Sequence, residues 1–301
     1  MFQDRPLISV VMSVFNESIT ELESSVQSIL DQTYDNIEFI VVVDNPKNDV
    51  LKDYLQRVST QDARLIIIKN EINLGLIKSL NKALNLSKGQ FIARMDADDI
   101  SLPNRLEIQL DFLRMNDKDL VGSPVILINE DGIEVSEMYP PKRNIKEAAK
   151  YKTVCFHPTW LARREVFDAL NGYRFAKHVE DYDFVLRALS YGFNLSNTEE
   201  LLLKYRIRST SVSNTKFLSQ IRNSFELQRK YSKGKILCEI DIADHSDKNS
   251  AETSRLFHAF TAAVKEKRMF KSIKYGSLCI SIEPMLLKYF LRQFYAKIKF
   301  S

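Results

Sequence analysis

Several shortages narrow this chain before any motif is read. Eight glycines and eight prolines in 301 residues are too few for a collagen-like or low-complexity protein, and 45% apolar content is too much for disorder. Cysteine is scarce. Cys155, Cys238 and Cys279 are an odd number with no Cys-x-x-Cys spacing, so neither a disulfide framework nor a zinc ribbon is indicated, and a reducing, cytosolic setting is expected. No charge of one sign predominates: 43 basic and 39 acidic residues give +4, and no nucleic-acid partner is expected. No run reaches the roughly 18 uncharged apolar residues of a spanning helix. The nearest, Ile273 to Tyr295, is interrupted by Lys274, Glu283, Pro284, Lys288 and Arg292. Met1 to Pro6 lacks the basic region of a signal peptide, so none is expected.

What is present is rhythm. Leu7 to Phe15, Ile37 to Val43, Leu65 to Lys69 and Phe91 to Met95 are short β-branched runs with almost no polar alternation, which read as strands buried on both faces of a parallel sheet. Helical spacing fills the gaps at Ser18 to Leu30, Val50 to Val58 and Leu74 to Leu86, with Gly89 expected to stop the last. Strand and helix in alternation predict an α/β doubly wound unit. Beyond it, Ser101 and Pro103 suggest the start of a helix to Met115. Leu120 to Asn129 and Ile133 to Met138 suggest a hairpin around Gly132, and helices are expected over Arg164 to Leu170 and Asp181 to Tyr191. From Asn214 strand signals fade into helical stretches, which places a boundary there: 1–213 and 214–301.

Open α/β sheets bind ligands beyond the carboxyl ends of their strands. Those ends carry Val14-Phe15-Asn16-Glu17, Asp44-Asn45, Asn70 with Asn73, and Asp96-Ala97-Asp98-Asp99. In an extended segment Asp96 and Asp98 would project to one side, and their hard oxygens suit Mn2+ or Mg2+ with positions left for a diphosphate. No Walker A glycine cradle is present to hold phosphates instead. Glu180-Asp181-Tyr182-Asp183 opens a helix. Three acids in a first turn complement the helix dipole, and one of them could equally serve as a general base.

Taken in order, Ile8 to Glu17, Val41 to Asp44, Asn73 to Gly75 with Ser79 to Lys82, Met95 to Asp99 followed by Pro103-x-Arg105, and Glu180 to Asp183 resemble family 2 glycosyltransferases of the GT-A fold. The resemblance runs from about residue 7 to 213. It implies a GT-A-type, mostly parallel doubly wound sheet with a helical C-terminal region added. It implies an inverting sugar transfer from a nucleotide-sugar, UDP-linked, to an acceptor hydroxyl, by a hexosyl- or N-acetylhexosaminyl-transferase of surface-polysaccharide assembly such as capsule or O-antigen. By position, Val14, Phe15, Asn16 and Glu17 would pack on the nucleotide base and Asp44 would accept from it. Asn73 and Lys78 would border the nucleotide. Asp96, with Ala97, would hold ribose or a metal-linked water, and Asp98 the metal. Asp181 would be the base, with Glu180 and Asp183 positioning it or the acceptor. Two departures stand out: Asn45 where the family often has a second Asp, and Arg208 within Tyr205 to Ser213 where relatives carry a metal-ligating His. Arg208 cannot ligate a cation but could contact diphosphate oxygens.

His157, before Pro158 and near Trp160, is a candidate for the acceptor side or else a packed histidine. His178 reads as loop surface and Cys155 as a small buried hydrophobe. Residues 265–301 hold nine Lys/Arg and two Glu, a net +7, whereas residues 1–264 carry 34 basic and 37 acidic, a net −3. Leu287, Phe290, Leu291, Phe294 and Ile298 fall on one helical face. Three readings fit: a helix docked on the core, a peripheral contact with the anionic inner face of a cell membrane, or a homodimer contact. The membrane reading suits a carbohydrate acceptor linked to polyprenyl diphosphate. Rival functions are a sugar-phosphate nucleotidyltransferase, which would usually show a Gly-rich N-terminal signature absent from Leu7 to Thr20, and a nucleotide-sugar-binding protein without catalysis.

Overall fold

The computed structural model describes residues 4–208, 217–237, 253, 255–257, 259–260 and 268–300. The first half alternates as expected: β1 (Ile8–Val14), α1 (Ile19–Leu30), β2 (Ile37–Val43), α2 (Asp49–Gln61), β3 (Leu65–Lys69), α3 (Leu76–Leu86) and β4 (Phe91–Arg94). There follow β5 (Ile100–Ser101), α4 (Arg105–Met115), β6 (Leu120–Gly122), β7 (Val125–Ile128), β8 (Glu134–Met138), α5 (Ile145–Ala148) and a 3-10 turn (His157–Thr159). Then come β9 (Leu161–Arg163), α6 (Arg164–Leu170), α7 (Glu180–Tyr191), β10 (Leu195–Asn197), β11 (Leu203–Arg206), α8 (Phe217–Ser232), α9 (Met269–Ile282) and α10 (Met285–Phe300).

Seven strands form one sheet, in the order β10-β6-β9-β4-β1-β2-β3, all parallel except β9. Period-two alternation splits each central strand between two layers. Val10, Met12, Phe39 and Val41 pack with Leu22, Val26 and Ile29 of α1 and Leu51 and Leu55 of α2. On the other face, Val11, Ile40 and Val42 pack with Leu80, Ala83 and Leu84 of α3 and with α7. The chain steps outward from β1 to β3, then returns to the far side of β1 as β4. That reversal opens a crevice at the carboxyl ends of β1 and β4. A second sheet, β5-β11-β7-β8, stands against it.

The differences from the sequence reading have local causes. β3 is an edge strand, not buried on both faces, and Ile66 is 40% exposed. Ser18 caps α1 in a reciprocal capping box with Glu21. α3 begins at Leu76 rather than Leu74 because Gly75 adopts φ +81°, while Leu74 and Gly75 turn their N–H groups onto Asp44. Ser101 is not a helix cap; it pairs with Leu203 in β5, and α4 starts at Arg105. The stretch expected as one strand from Leu120 is two. The Ser123 N–H donates to Thr159 Oγ1 and Pro124 has no N–H, so the chain leaves the first sheet at Gly122 and enters the second at Val125. Gly89 is not a left-handed helix stop. A Cβ there would lie 2.6 Å from the Ser9 N and 2.7 Å from the Leu7 O, so glycine permits the close approach of this turn to β1.

α7 is anchored at its start. Asp183 is fully buried; Arg174 donates to both its oxygens (2.6–3.0 Å) and Arg187 Nε to its Oδ2 at 2.8 Å. Arg187 also donates to the Leu170 and Gly172 carbonyls. Asp183 therefore does not stand beside a catalytic base as expected; it ties α7 to the α6–α7 connection.

The C-terminal helices close against this core. Leu227, Ala296 and Phe300 join the cluster around α7, and Arg292 Nη2 donates to the Lys150 O at 2.7 Å. The single apolar face expected on α10 divides: Phe290 packs with Leu218, Ile221 and Leu286, but Leu287, Leu291, Phe294 and Ile298 are 48–69% exposed. No helix among the described residues is long and apolar enough to cross a membrane. The expected boundary at Asn214, Cys238, and Ser209 to Ser213 lie outside the described residues.

Replacing Asp183 by Ala strands two guanidinium groups, one of them (Arg187) buried. We expect a loss of about 3–5 kcal/mol of unfolding free energy in a denaturant titration. A loss below about 1 kcal/mol would remove Asp183 as the anchor of α7.

Candidate active site

Parallel pairing brings the carboxyl ends of β1, β2, β3 and β4 to one rim. Asp44, 3% exposed, accepts from Asn70 Nδ2 and from the Leu74 and Gly75 N–H groups, all at 2.8 Å. It therefore shapes the loop before α3, and three of its acceptor positions are already in use. Asn73 Oδ1 accepts from the Gly75 N–H at 2.9 Å, and Lys78 is exposed on α3. Asn45, the residue that departs from the family pattern, donates to Asn16 Oδ1 at 2.6 Å and so joins the loops after β1 and β2. Val14 is buried while Phe15 is 39% exposed at the rim. Glu17 accepts from the Phe15 N–H at 2.7 Å, and burial raises its carboxyl above the ordinary range.

Asp96-Ala97-Asp98-Asp99 is a turn following β4, not an extended segment. Asp96 pairs with Arg94, whose guanidinium is only 1% exposed and also donates to the Met95 O. Asp98 Oδ2 lies 3.0 Å from Arg208 Nη2, which is 3.1 Å from Glu21 Oε1. Burial, with the nearby Asp96 charge, pushes Asp98 up to about 7. Asp99 is buried outright: its Oδ1 accepts from the Arg206 N–H at 2.8 Å, its Oδ2 has no partner among the described residues, and its carboxyl is raised well above normal. Ala97 is buried between them. Glu17, Asp96 and Asp98 thus repel one another in a partly dry setting, and hard oxygens under such strain fit a divalent cation. Among the described residues no three His, Cys, Asp or Glu side chains converge to enclose a metal.

A cleft of about 450 Å³ opens beside this turn, lined by Asp96, His157, His178, Glu180, Asp181, Tyr205 and Gln220 among others. Asp181 Oδ1 accepts from the Tyr182 N–H at 2.7 Å, and burial raises its carboxyl. Burial, then Asp181, pushes Glu180 up to about 7. His157 Nε2 shares a 2.8 Å hydrogen bond with the Tyr173 hydroxyl; burial and then Arg94 hold the ring well below its usual range, hence neutral. Trp160, expected on the acceptor side, is fully buried. Its ring packs edge-on against His157 at 4.6 Å and its Nε1 donates to the Cys155 O, so it supports His157 from behind. Cys155 is buried with its thiol pushed up to about 12, an inert packing residue as expected.

The sequence reading missed three parts of this site. His178 was read as loop surface but takes φ +64° and lines the cleft. Gln220 arrives from α8, outside the matched motifs. Arg94 carried a signal that could have been used: one cation inside a buried β-branched run needs a partner nearby.

The glycosyl transferase family 2 model matches residues 9–170. The O-antigen biosynthesis glycosyltransferase WbnJ of Escherichia coli is 36% identical over 208 residues, covering 68% of this chain and 81% of that one. The UDP-Glc:alpha-D-GlcNAc-diphosphoundecaprenol beta-1,3-glucosyltransferase WfaP of Escherichia coli is 31% identical over 219 residues, 72% of this chain and 84% of that one. Among solved structures, the mannosyltransferase PcManGT of Pyrobaculum calidifontis, in complex with GDP-Man and Mn2+, superposes with a TM-score of 0.61 at 14% identity, over 99% of this chain and 87% of that one, a likeness of fold. With the family model spanning more than half of its length and an acid-rich cleft at the switch point of a GT-A sheet, the chain belongs to the family 2 glycosyltransferases.

Proposed function

We propose that the protein is an inverting, metal-dependent hexosyl- or N-acetylhexosaminyl-transferase that uses a UDP-sugar and acts on a carbohydrate acceptor linked to polyprenyl diphosphate, in surface-polysaccharide assembly. Residues 1–213 would bind the donor and carry the chemistry, and residues 214–301 would serve the acceptor and the membrane. The observation that carries this reading is that one cleft is lined both by Asp96 of the acidic turn and by the raised carboxylates of Glu180 and Asp181. The names of WfaP and PcManGT support the choice of donor, acceptor and metal.

In this reading Val14, Phe15, Asn16 and Glu17 flank the nucleotide base, Asp44 holds the loop that carries Asn73 and Lys78, and Asp96 with Ala97 meets the ribose. Asp98 and Asp96 would hold Mn2+ or Mg2+, which when bound supplies positive charge to a diphosphate leaving group. Arg208, already on Asp98, can pass its fork of donors to diphosphate oxygens. Asp181 takes the acceptor hydroxyl proton onto its free carboxylate oxygen as that hydroxyl's oxygen bonds to the anomeric carbon and the sugar–phosphate bond breaks on the opposite face. A base held above the ordinary carboxylate range keeps the proton better once taken. Neutral His157 can hydrogen-bond the acceptor. A diphosphate leaves unaided, so no acid partner is required, unlike the paired carboxylates of hydrolases.

The exposed stripe Leu287, Leu291, Phe294 and Ile298 is assigned to an anionic membrane surface. Lys288 and Lys299 on the same helix and the net +7 of residues 265–301 supply the complementary charge.

Three outcomes check these assignments. Asp181→Asn should lower kcat by about 10²–10⁴ while donor affinity is kept. Because the base must be ionised, wild-type kcat/KM should fall as pH drops through a carboxylate pKa above 4; a limb at the ordinary value would unseat Asp181. Separately, the double variant Leu291→Glu, Phe294→Glu should lose at least tenfold in sedimentation with vesicles containing phosphatidylglycerol. Unchanged sedimentation sinks the membrane assignment, and a dimer that becomes monomeric in the variant would assign the stripe to a second copy instead.

A further inference from the structure

Next to the catalytic cleft lies a second cavity of about 270 Å³, walled by residues 151–153, Tyr182 at the start of α7, and helices α8 and α10. Thr153 and Gln220 line both cavities, so the two adjoin. The second cavity is cationic: Lys152 and Arg292 face it, and none of its lining residues is acidic. Arg292 is held firmly. Its Nη2 donates to the Lys150 O at 2.7 Å, and its guanidinium lies 4.9 Å from the Tyr151 ring centre and 5.6 Å from that of Phe225.

Three polar groups here are left over. Arg292 Nε is buried without a hydrogen-bond partner among the described residues, as is Oε1 of Gln228, a residue 6% exposed. Lys152 is half-buried with no ion pair or hydrogen bond from its ammonium among the described residues, and burial lowers its pKa. A partly desolvated cation without a counter-charge works against folding. Two of them at the mouth of a sugar-transfer cleft are what an anionic ligand would complete.

Building on the acceptor proposed above, we infer that this groove binds the diphosphate of the acceptor, with Lys152 and Arg292 pairing with its oxygens and the attached sugar passing Thr153 and Gln220 to reach Asp181. The placement of α10 fits. Arg292 lies on its inward side, while Leu291 and Phe294 point to solvent. A helix about 10 Å across thus separates the diphosphate site from the proposed membrane surface, and a polyprenyl chain leaving the groove meets that surface at once.

The test compares the wild type with Lys152→Gln and Lys152→Arg on two acceptors bearing the same sugar: a short-chain prenyl diphosphate and a neutral alkyl glycoside. The Lys152 ammonium makes no hydrogen bond or ion pair among the described residues, so Lys152→Gln removes charge without breaking one. Lys152→Gln should raise KM for the diphosphate acceptor at least tenfold, leave kcat, donor KM and the neutral glycoside unchanged, and be largely rescued by Lys152→Arg. An equal rise for both acceptors, or no rise for the diphosphate acceptor, overturns the proposal. Inorganic pyrophosphate separates the anion itself from its lipid. It should compete with the diphosphate acceptor in the wild type and weaken tenfold in Lys152→Gln; competition only with the donor would move the anion to the donor site and overturn the groove. If the wild type turns over no UDP-sugar, the proposed function fails instead, and calorimetric titration of pyrophosphate into UDP-saturated wild type and Lys152→Gln then decides the groove alone.

Discussion

Arg94 carries its positive charge at 1% exposure beneath the cleft, paired with Asp96 and in the field of Asp99. A lone guanidinium could not be buried there, because the desolvation of one ion is worth several kcal/mol. It persists because the turn after β4 surrounds it with carboxylates, and those carboxylates tolerate one another because of it. Its field reaches further, restraining the burial-driven rise in Asp181 and Glu180 and adding to the burial that keeps His157 neutral. A second buried guanidinium, Arg105, donates to the Arg94 O at 2.7 Å, and burial brings its pKa down to about 9. The acid cluster, the Glu180 and Asp181 carboxyls of α7 and the neutral histidine are therefore coupled through a single residue of β4.

Four strands of the first sheet, β1 to β4, could be read from the sequence because they are apolar runs of four to seven residues separated by amphipathic helices. Of the second sheet, only the β7–β8 hairpin around Gly132 could be read; β5 and β11 could not. β5 is two residues long and pairs with β11 about a hundred residues later, so no local period announces either strand. The split of Leu120 to Asn129 between two sheets turns on one Ser-Pro step, which hydropathy does not register. At the site, the strand-end acids were visible as residue types, but their tasks were not. Asp44 and Asp183 look like active-site acids in one dimension. In three, the first organises a loop and the second is sealed between two arginines. For Asp183 the geometry was available in principle: residues two apart on a helix point about 200° from one another, so Asp181 and Asp183 cannot share a face, and Arg187 stands four residues on from Asp183, the spacing of an ion pair.

The tail shows a different limit. Helical periodicity finds an apolar face but not what covers it. On α10 there are two such faces: Leu286, Ala296 and Phe300 inward, and Leu287, Leu291, Phe294 and Ile298 outward. The docked-helix reading describes the inward side of α10, and the membrane and dimer readings concern only its outward side.

Under the proposed assignments, donor and acceptor sides also differ in how they meet their charges. On the donor side, carboxylates outnumber cations: Glu17, Glu21, Asp96 and Asp98 gather around Arg208, and the strain among them is relieved by positive charge brought with the donor. On the acceptor side, Lys152 and Arg292 stand without acids, and the relief must come from negative charge. Between them lie Thr153 and Gln220, uncharged residues that line both cavities. That ordering, anionic pocket, neutral gap, cationic groove, selects against binding either substrate in reverse, because a diphosphate lacking its metal meets repulsion in the first and attraction in the last. The fold imposes the ordering through position: the acids gather at the carboxyl ends of the sheet, and the cations come from segment 149–153 and from α10, which holds that segment through the Arg292 bond to the Lys150 O.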